Sequence, residues 1–208
     1  MFSLPRQAVT VVVPRPAPSA ESDRLLLRPI EESDLPAIFA IRSRPEVARF
    51  NHPKTPFQSI DDAREWMASK TFMTGPSEVI GCSFTMAIVD KSIATNEEPV
   101  IGYVGINSLD PCPQIGYSIL PEHWGKGFAT EALQMLLTMW WKLPRRDLPS
   151  LFTQDEEPEK VYAICEKLNH GSCQVLRKCE FKVVDEFRYE ADELCFWSST
   201  RNIPESQL

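Results

Sequence analysis

The run ILPEHWGKGFATEALQMLL, from Ile119 to Leu137, constrains this chain more than any other. An apolar stretch short enough for a strand gives way to one with helical spacing, and Gly125 and Gly127 stand at the join. Ala129, Ala132, Leu133, Leu136, Leu137, Trp140 and Trp141 recur at helical intervals and predict a broad buried stripe, ending near Leu143-Pro144. The start of a helix carries unpaired N–H groups and a partial positive charge. Glycine on both sides of Lys126 removes the Cβ atoms that would keep a ligand away and permits unusual dihedrals. Such a join is either a phosphate cradle or a turn that needs glycine for its geometry alone. The pattern by itself leaves both open.

The flanking segments define what the join is built into. DRLLLRPI (23–30) reads as a strand. A helix follows, with Ser33 or Asp34 as cap and Leu35, Ile38, Phe39 and Arg42 at helical spacing. Ser59 caps a second helix with Ile60, Ala63, Trp66 and Met67 on one face. GCSFTMAIVD and PVIGYVGINSL read as strands in an antiparallel connection through the polar link KSIATNEE, and QIGYSIL as a further strand. KVYAICEKL is another strand. NHGSCQVLRKCEF is a short helix with Asn169 or Ser172 at its start, and FKVVDEFRYEADELCFWSST a final strand pair turning at Ala191-Asp192. Hairpin-like links plus one strand–helix–strand crossover predict a mixed α/β (α+β) fold.

A chain of 208 residues can bury one sizeable core. We expect one domain over residues 23–200, a flexible or surface-docked arm at 1–22, a long surface insert at 144–159 and a tail at 201–208. A net charge of -7 argues against non-specific nucleic-acid binding, though a local donor array can still hold an anion. The six cysteines show no CxxC spacing and read as reduced packing thiols of a cytoplasmic protein. His52, His123 and His170 form no ligand-spaced cluster, so no metal site is expected. No apolar stretch approaches a membrane span.

Three phosphate-binding patterns can be compared with the join. A nucleotide P-loop needs Ser or Thr after its lysine, and Gly127 follows Lys126. A dinucleotide fingerprint needs a third glycine where Thr130 stands. The third pattern fits: HWGKGFATEAL resembles the acyl-CoA cradle of the GNAT (Gcn5-related) N-acetyltransferase superfamily, Gln/Arg-x-x-Gly-x-Gly/Ala. Trp124 departs from that pattern and is similar to the branch that acetylates ribosomal-protein N-termini. The resemblance extends from about Arg24 to Trp197. In the late helix Asn169, Ser172, Val175, Leu176, Lys178 and Phe181 fall in place, while Glu180 stands where the family usually has glycine.

The resemblance implies an acyl-CoA N-acyltransferase fold, a mostly antiparallel mixed sheet of about seven strands with helices on both faces. It implies direct acetyl transfer from acetyl-CoA to a primary amine, on a peptide N-terminus or a small molecule, by a monomer or homodimer. Residues 125 to 130 (Gly125, Lys126, Gly127, Phe128, Ala129, Thr130), with Ile119, Trp124, Asn169 and Ser172, would bind the co-substrate. The strand carrying Ile115 to Ile119 would splay from its neighbour, and Gly116 suits a close approach there. Ser172 and Glu122 are the candidate proton donor and base. Glu65, Trp66 and Tyr117 are candidates for the acceptor side. Gln114 stands where relatives often carry a carboxylate, which keeps open the alternative of a non-catalytic acyl-CoA-binding or sensing domain.

Overall fold

The computed structural model describes residues 2–93, 99–146 and 158–201. The alternating apolar segments assemble into one eight-stranded sheet, ordered β1-β2-β3-β4-β5-β6-β8-β7. β1 (Ala20–Glu21), β2 (Leu25–Pro29), β3 (Phe84–Asp90), β4 (Val100–Ser108) and β5 (Gln114–Ile119) pair antiparallel in turn. Helix α4 (Phe128–Lys142) then carries the chain across to β6 (Lys160–Glu166), which runs parallel to β5. β7 (Lys182–Tyr189) and β8 (Asp192–Thr200) form the closing hairpin, with β8 against β6. The remaining helices are α1 (Leu35–Arg42), α2 (Pro45–Ala48), α3 (Ile60–Ala68) and α5 (His170–Lys178).

Two buried clusters fix the layers. Leu133, Leu136 and Trp140 of α4 pack with Phe84, Met86 and Val104 of the sheet, and Leu176 of α5 joins them. Trp140 and Phe84 meet edge to face at 5.3 Å and are fully buried. Side chains of this size each contribute about 1.5–3 kcal/mol on burial, so this face anchors the fold. Leu35, Ile38 and Ile41 of α1 pack with Ala63 of α3 and Tyr103 of β4 in the second cluster.

The strand count exceeds the expected seven by one because the N-terminal segment supplies β1. Upstream of it the Val12 amide donates to the Pro144 carbonyl at 2.9 Å, and the Arg146 amide to the Thr10 carbonyl at 2.8 Å. That pairing buries Val11 and Val13 in the main core. The Gln7 side chain bonds both main-chain groups of Lys160, at 2.9 and 3.1 Å. Residues 94–98 of the KSIATNEE link, 147–157 of the expected insert and 202–208 of the expected tail lie outside the described residues.

Ser59 accepts from the Asp62 amide and forms a full capping box. Asp34 does not cap α1: its two carboxylate oxygens take the Arg28 guanidinium, each at 2.8 Å, because burial demands a charged partner. Ile60 is 38% exposed rather than inward, since it opens the first turn of α3. The last hairpin turns one residue early, with Glu190 at φ 52. Glu180 sits at φ 62, the left-handed region that glycine enters freely, so the bend keeps that geometry with a strained glutamate.

Candidate active site

After β5 a short 3-10 turn (Pro121–His123) leads to Gly125 and Gly127, at φ 73 and 84. A Cβ built on Gly125 meets nothing within 4 Å, so this glycine answers to its dihedral and the open space before it. Gly127 is the N-cap of α4 and no side chain caps the helix. The Glu131 amide returns to the Gly127 carbonyl at 3.1 Å. The amides of residues 125 to 130 have no protein acceptor among the described residues. Several free N–H groups at a helix start, facing open space, suit a pyrophosphate.

The cradle is fastened from a distant point of the sequence. Arg24, just before β2, donates from Nη1 to the Lys126 carbonyl at 3.1 Å and from Nε to Glu131 Oε2 at 2.8 Å. Its guanidinium also lies 4.7 Å above the Phe128 ring. Ser22 Oγ donates to Glu131 Oε1 at 2.6 Å. No sequence signal points to Arg24, because its partners lie about a hundred residues away and meet it only through the sheet order.

β5 and β6 share a single register point, Gln114 opposite Tyr162, where the Tyr162 amide donates to the Pro113 carbonyl at 2.9 Å. Beyond it the two strands part. On its other edge β5 stays paired to β4 as far as Ile119, and the Leu120 amide donates to the Ile101 carbonyl at 2.9 Å. Bonded pairs alternate along an antiparallel ladder. Gly116 and Ser118 therefore turn their main-chain groups to β4, while Tyr117 and Ile119 turn theirs to the gap. The Ile119 carbonyl is already held by the Trp124 indole N–H at 2.6 Å. That leaves the Ile119 amide and both main-chain groups of Tyr117 facing the gap.

Cradle and gap open into one groove of about 960 Å³ that continues to the α1–α3 side. Ile119, Trp124, Gly125, Gly127, Phe128, Ala129, Thr130, Asn169 and Ser172 all line it. Three predicted residues do not. Lys126 offers its carbonyl to Arg24 and its side chain is exposed. Glu122 lies on the outer side of the 3-10 turn, ion-paired with Arg44 and absent from the groove wall, so it is not positioned as a base. Glu65 is likewise exposed and off the groove.

Asn169 caps α5, its Oδ1 accepting from the Ser172 amide at 3.0 Å. The Tyr117 hydroxyl reaches across from β5 and donates to the Ser172 carbonyl at 3.3 Å. Burial pushes the Tyr117 phenol well above its ordinary range, with the Ser172 side chain opposing, so it stays protonated. A tyrosine thus reaches the late helix from β5, although α5 itself carries none.

The far end of the groove is lined by Arg42, Trp66, Lys70, Tyr103, Asn107 and Gln114. Trp66 packs at 4.4 Å from Tyr103, and Lys70 Nζ lies 4.6 Å over Trp66 and donates to Asn107 Oδ1 at 3.2 Å. Burial, and then the charge of Arg42, lowers the Lys70 ammonium to about 8. Lys54 bridges Glu166 and Asp192, 2.6 Å from each. Cys165 and Cys173 approach to 3.7 Å, and burial pushes the Cys165 thiol up to about 12, which suits packing rather than nucleophilic work. Among the described residues, no three His, Cys, Asp or Glu are grouped to hold a metal ion, and no helix is long and apolar enough to cross a membrane.

This geometry agrees with what the chain is similar to. A family model described as an acetyltransferase (GNAT) domain matches residues 24–182. The uncharacterized N-acetyltransferase YoaA of Bacillus subtilis (strain 168) is 35% identical over 124 residues. That match takes in 58% of this chain and 65% of the relative, less than two thirds of its length. Among solved structures, RimL, titled a ribosomal L7/L12 alpha-N-protein acetyltransferase in complex with coenzyme A, aligns with a TM-score of 0.63 at 17% identity, over 86% of this chain and 95% of that one. A spermidine N-acetyltransferase from Vibrio cholerae, in complex with CoA and spermine, aligns at 0.60 and 18% identity, over 86% and 96%. With its family model covering the chain from Arg24 to Lys182, and its glycine cradle and parted strands in the matching fold, the chain belongs to the GNAT acetyltransferase family.

Proposed function

We propose that the chain is an acetyl-CoA-dependent N-acetyltransferase that moves the acetyl group directly to a primary amine. One observation carries this reading: a free fan of amides over residues 125 to 130 opens onto a gap between β5 and β6 edged by unpaired main-chain groups. The fan would hold the pyrophosphate of coenzyme A. The Tyr117 main chain and the Asn169 side chain would hold the pantetheine arm. The Ile119 amide is the donor for the thioester oxygen, in a site where a fixed dipole acts without reorganising.

Acetyl-CoA supplies the acyl group as an activated thioester. The neutral amine attacks its carbonyl carbon; a C–N bond forms, the C–S bond breaks, and the nitrogen loses a proton to water. The Ser172 hydroxyl, or that of Tyr117 beside it, returns a proton to the leaving sulfur and is reprotonated from solvent.

Among the described residues Gln114 stands on the groove wall, Glu122 is turned outward, Glu166 and Asp192 are held by Lys54, and Glu46 is exposed on α2, so none of these is a carboxylate enclosed beside the gap as a dedicated base. An α-amine of pKa near ~8 is roughly 10% neutral at pH 7, a lysine near ~10.4 below ~0.1%. The acceptor is therefore a weakly basic amine. The test is an acceptor screen read by free thiol release, comparing peptide N-termini, free amino acids, polyamines and internal lysines at pH 7 and pH 9. A clear preference for lysine at pH 7 refutes the weak-amine assignment. Binding of acetyl-CoA with no thiol release across the panel favours a sensing domain instead.

A further inference from the structure

We infer that the acceptor amine is a small molecule bearing a carboxylate, and that Arg42 and Lys70 hold that carboxylate at the end of the groove away from the cradle. The inference rests on the acetyltransferase reading and specifies its substrate class.

Arg42 closes α1 and is 2% exposed. Its Nε has no hydrogen-bond partner. What lies against the guanidinium is neutral: the Phe57 ring at 4.8 Å and the Tyr103 hydroxyl. Among the described residues no carboxylate stands within 4.0 Å of Arg42 or of Lys70. A buried cation costs several kcal/mol unless an anion and hydrogen bonds compensate it, and native proteins leave few such groups unpaired. Here two cations share one chamber, close enough for Arg42 to depress the Lys70 ammonium. A chain that needed either one only for stability would have paired it with an acid or set it in solvent.

Among the described residues none of the acids along the groove pairs with Arg42 or Lys70. Glu166 and Asp192 share Lys54, and Glu46 is exposed on α2. A guanidinium on the groove wall and a nearby ammonium match a carboxylate, which accepts two donors side by side. The placement also suits the reaction. The Asn107 side chain takes the Lys70 bond on its oxygen, and its nitrogen lies 2.0 Å from where a Cβ on Gly116 would be. Gly116 adjoins Tyr117, whose main chain edges the gap. The anion site is thus one carboxamide away from the strand that presents the acetyl group. The same two cations would repel a polyamine.

The test uses matched acceptors with acetyl-CoA: amino acids against their amides, and uncharged capped peptides with a free N-terminus. The expected result is a kcat/KM advantage of at least about tenfold for the acid over its amide, the scale of one charge-assisted hydrogen bond. Lys70→Gln and Arg42→Lys should erode that advantage through the acceptor KM while the acetyl-CoA KM stays within about twofold. As a readout free of turnover, N-acetyl amino acids and the corresponding N-acetyl amides are titrated calorimetrically into the protein with coenzyme A present. Tighter binding of the acids, lost in Lys70→Gln, supports the inference. Equal binding, no binding of either, or preference for an amide or an uncharged peptide overturns it while leaving acetyl transfer standing. Failure of coenzyme A itself to bind sinks the acetyltransferase reading, and this inference with it.

Discussion

The contacts of Arg24 lead to a prediction that separates loop order from fold stability. Arg24→Met keeps the aliphatic stem and removes three polar interactions with the cradle. The ion pair with Glu131 is partly exposed, at 47% and 22% of the two side chains, and is worth about 0.2–1 kcal/mol. The bond to the Lys126 carbonyl contributes about 1 kcal/mol. The guanidinium over Phe128 adds about 0.5–1 kcal/mol. Together they amount to about 2 kcal/mol. Little of this supports the core, because Leu25 and Leu27 of β2 are fully buried while the Arg24 side chain is 47% exposed. Most of it orders a loop whose two glycines, at φ 73 and 84, have wide conformational freedom. Apparent affinity falls with the fraction of molecules in which the binding geometry is formed. Calorimetric titration of coenzyme A should therefore show a dissociation constant raised by about tenfold. Urea denaturation should show a stability loss under ~1 kcal/mol. Glu131→Gln should have a smaller effect in the same direction, because it removes only the ion pair, and the double variant should lose less than the sum. A dissociation constant within twofold of wild type, with stability down by the full ~2 kcal/mol, would refute the argument that Arg24 serves the cradle.

Three further outcomes follow from single residues. Glu180→Gly should stabilise the protein by about 0.5–1 kcal/mol in urea, since relief of a left-handed glutamate exceeds the entropic cost of glycine; destabilisation would mean the Glu180 side chain makes an unseen contribution. Gly125→Ala meets no atom within 4 Å but must hold φ 73, so stability should fall by about 1–2 kcal/mol while the acetyl-CoA KM rises at least several-fold; an unchanged KM would show that nothing occupies the space before it. Lys70 titrates near 8 when folded against 10.5 for the ordinary side chain, so between those values the unfolded chain binds the extra proton. Wild type should then gain stability relative to Lys70→Met as pH rises from 8 to 10, and a relative loss would show that Lys70 is not desolvated.

How much of this was legible depends on the range of the interaction. The α4 stripe, the Ser59 box and the Asn169 cap are set by residues three or four apart, and the pattern displays them directly. The antiparallel β3–β4 pair and the single strand–helix–strand crossover also followed, because a short polar link favours antiparallel neighbours and a helical crossover a parallel one, whereas the full strand order did not. What escaped was non-local. AVTVVV read as an arm among prolines, and its burial depends on pairing with the chain after α4. Asp34 reads as a cap until Arg28 is seen beside it. Glu122 looks close to the cradle in sequence, yet a 3-10 turn directs it outward.

The same division runs through the site itself. The donor half is main-chain chemistry on consecutive residues, so a motif can report it: two glycines, one helix start, one strand edge. The acceptor half is side-chain chemistry gathered from α1, the end of α3, β4 and β5, elements that meet only after folding. One trace of it was visible, since helical spacing puts Arg42 on the inward face of α1 beside Leu35 and Ile38. A cation on an apolar stripe is an anomaly that periodicity detects and cannot interpret. The structure adds the missing term, a second cation in the same chamber and no carboxylate ion-paired with either among the described residues. On the proposed reading, recognition of coenzyme A rests on backbone geometry that sequence motifs track, while the choice of amine rests on uncompensated charge that appears only in three dimensions.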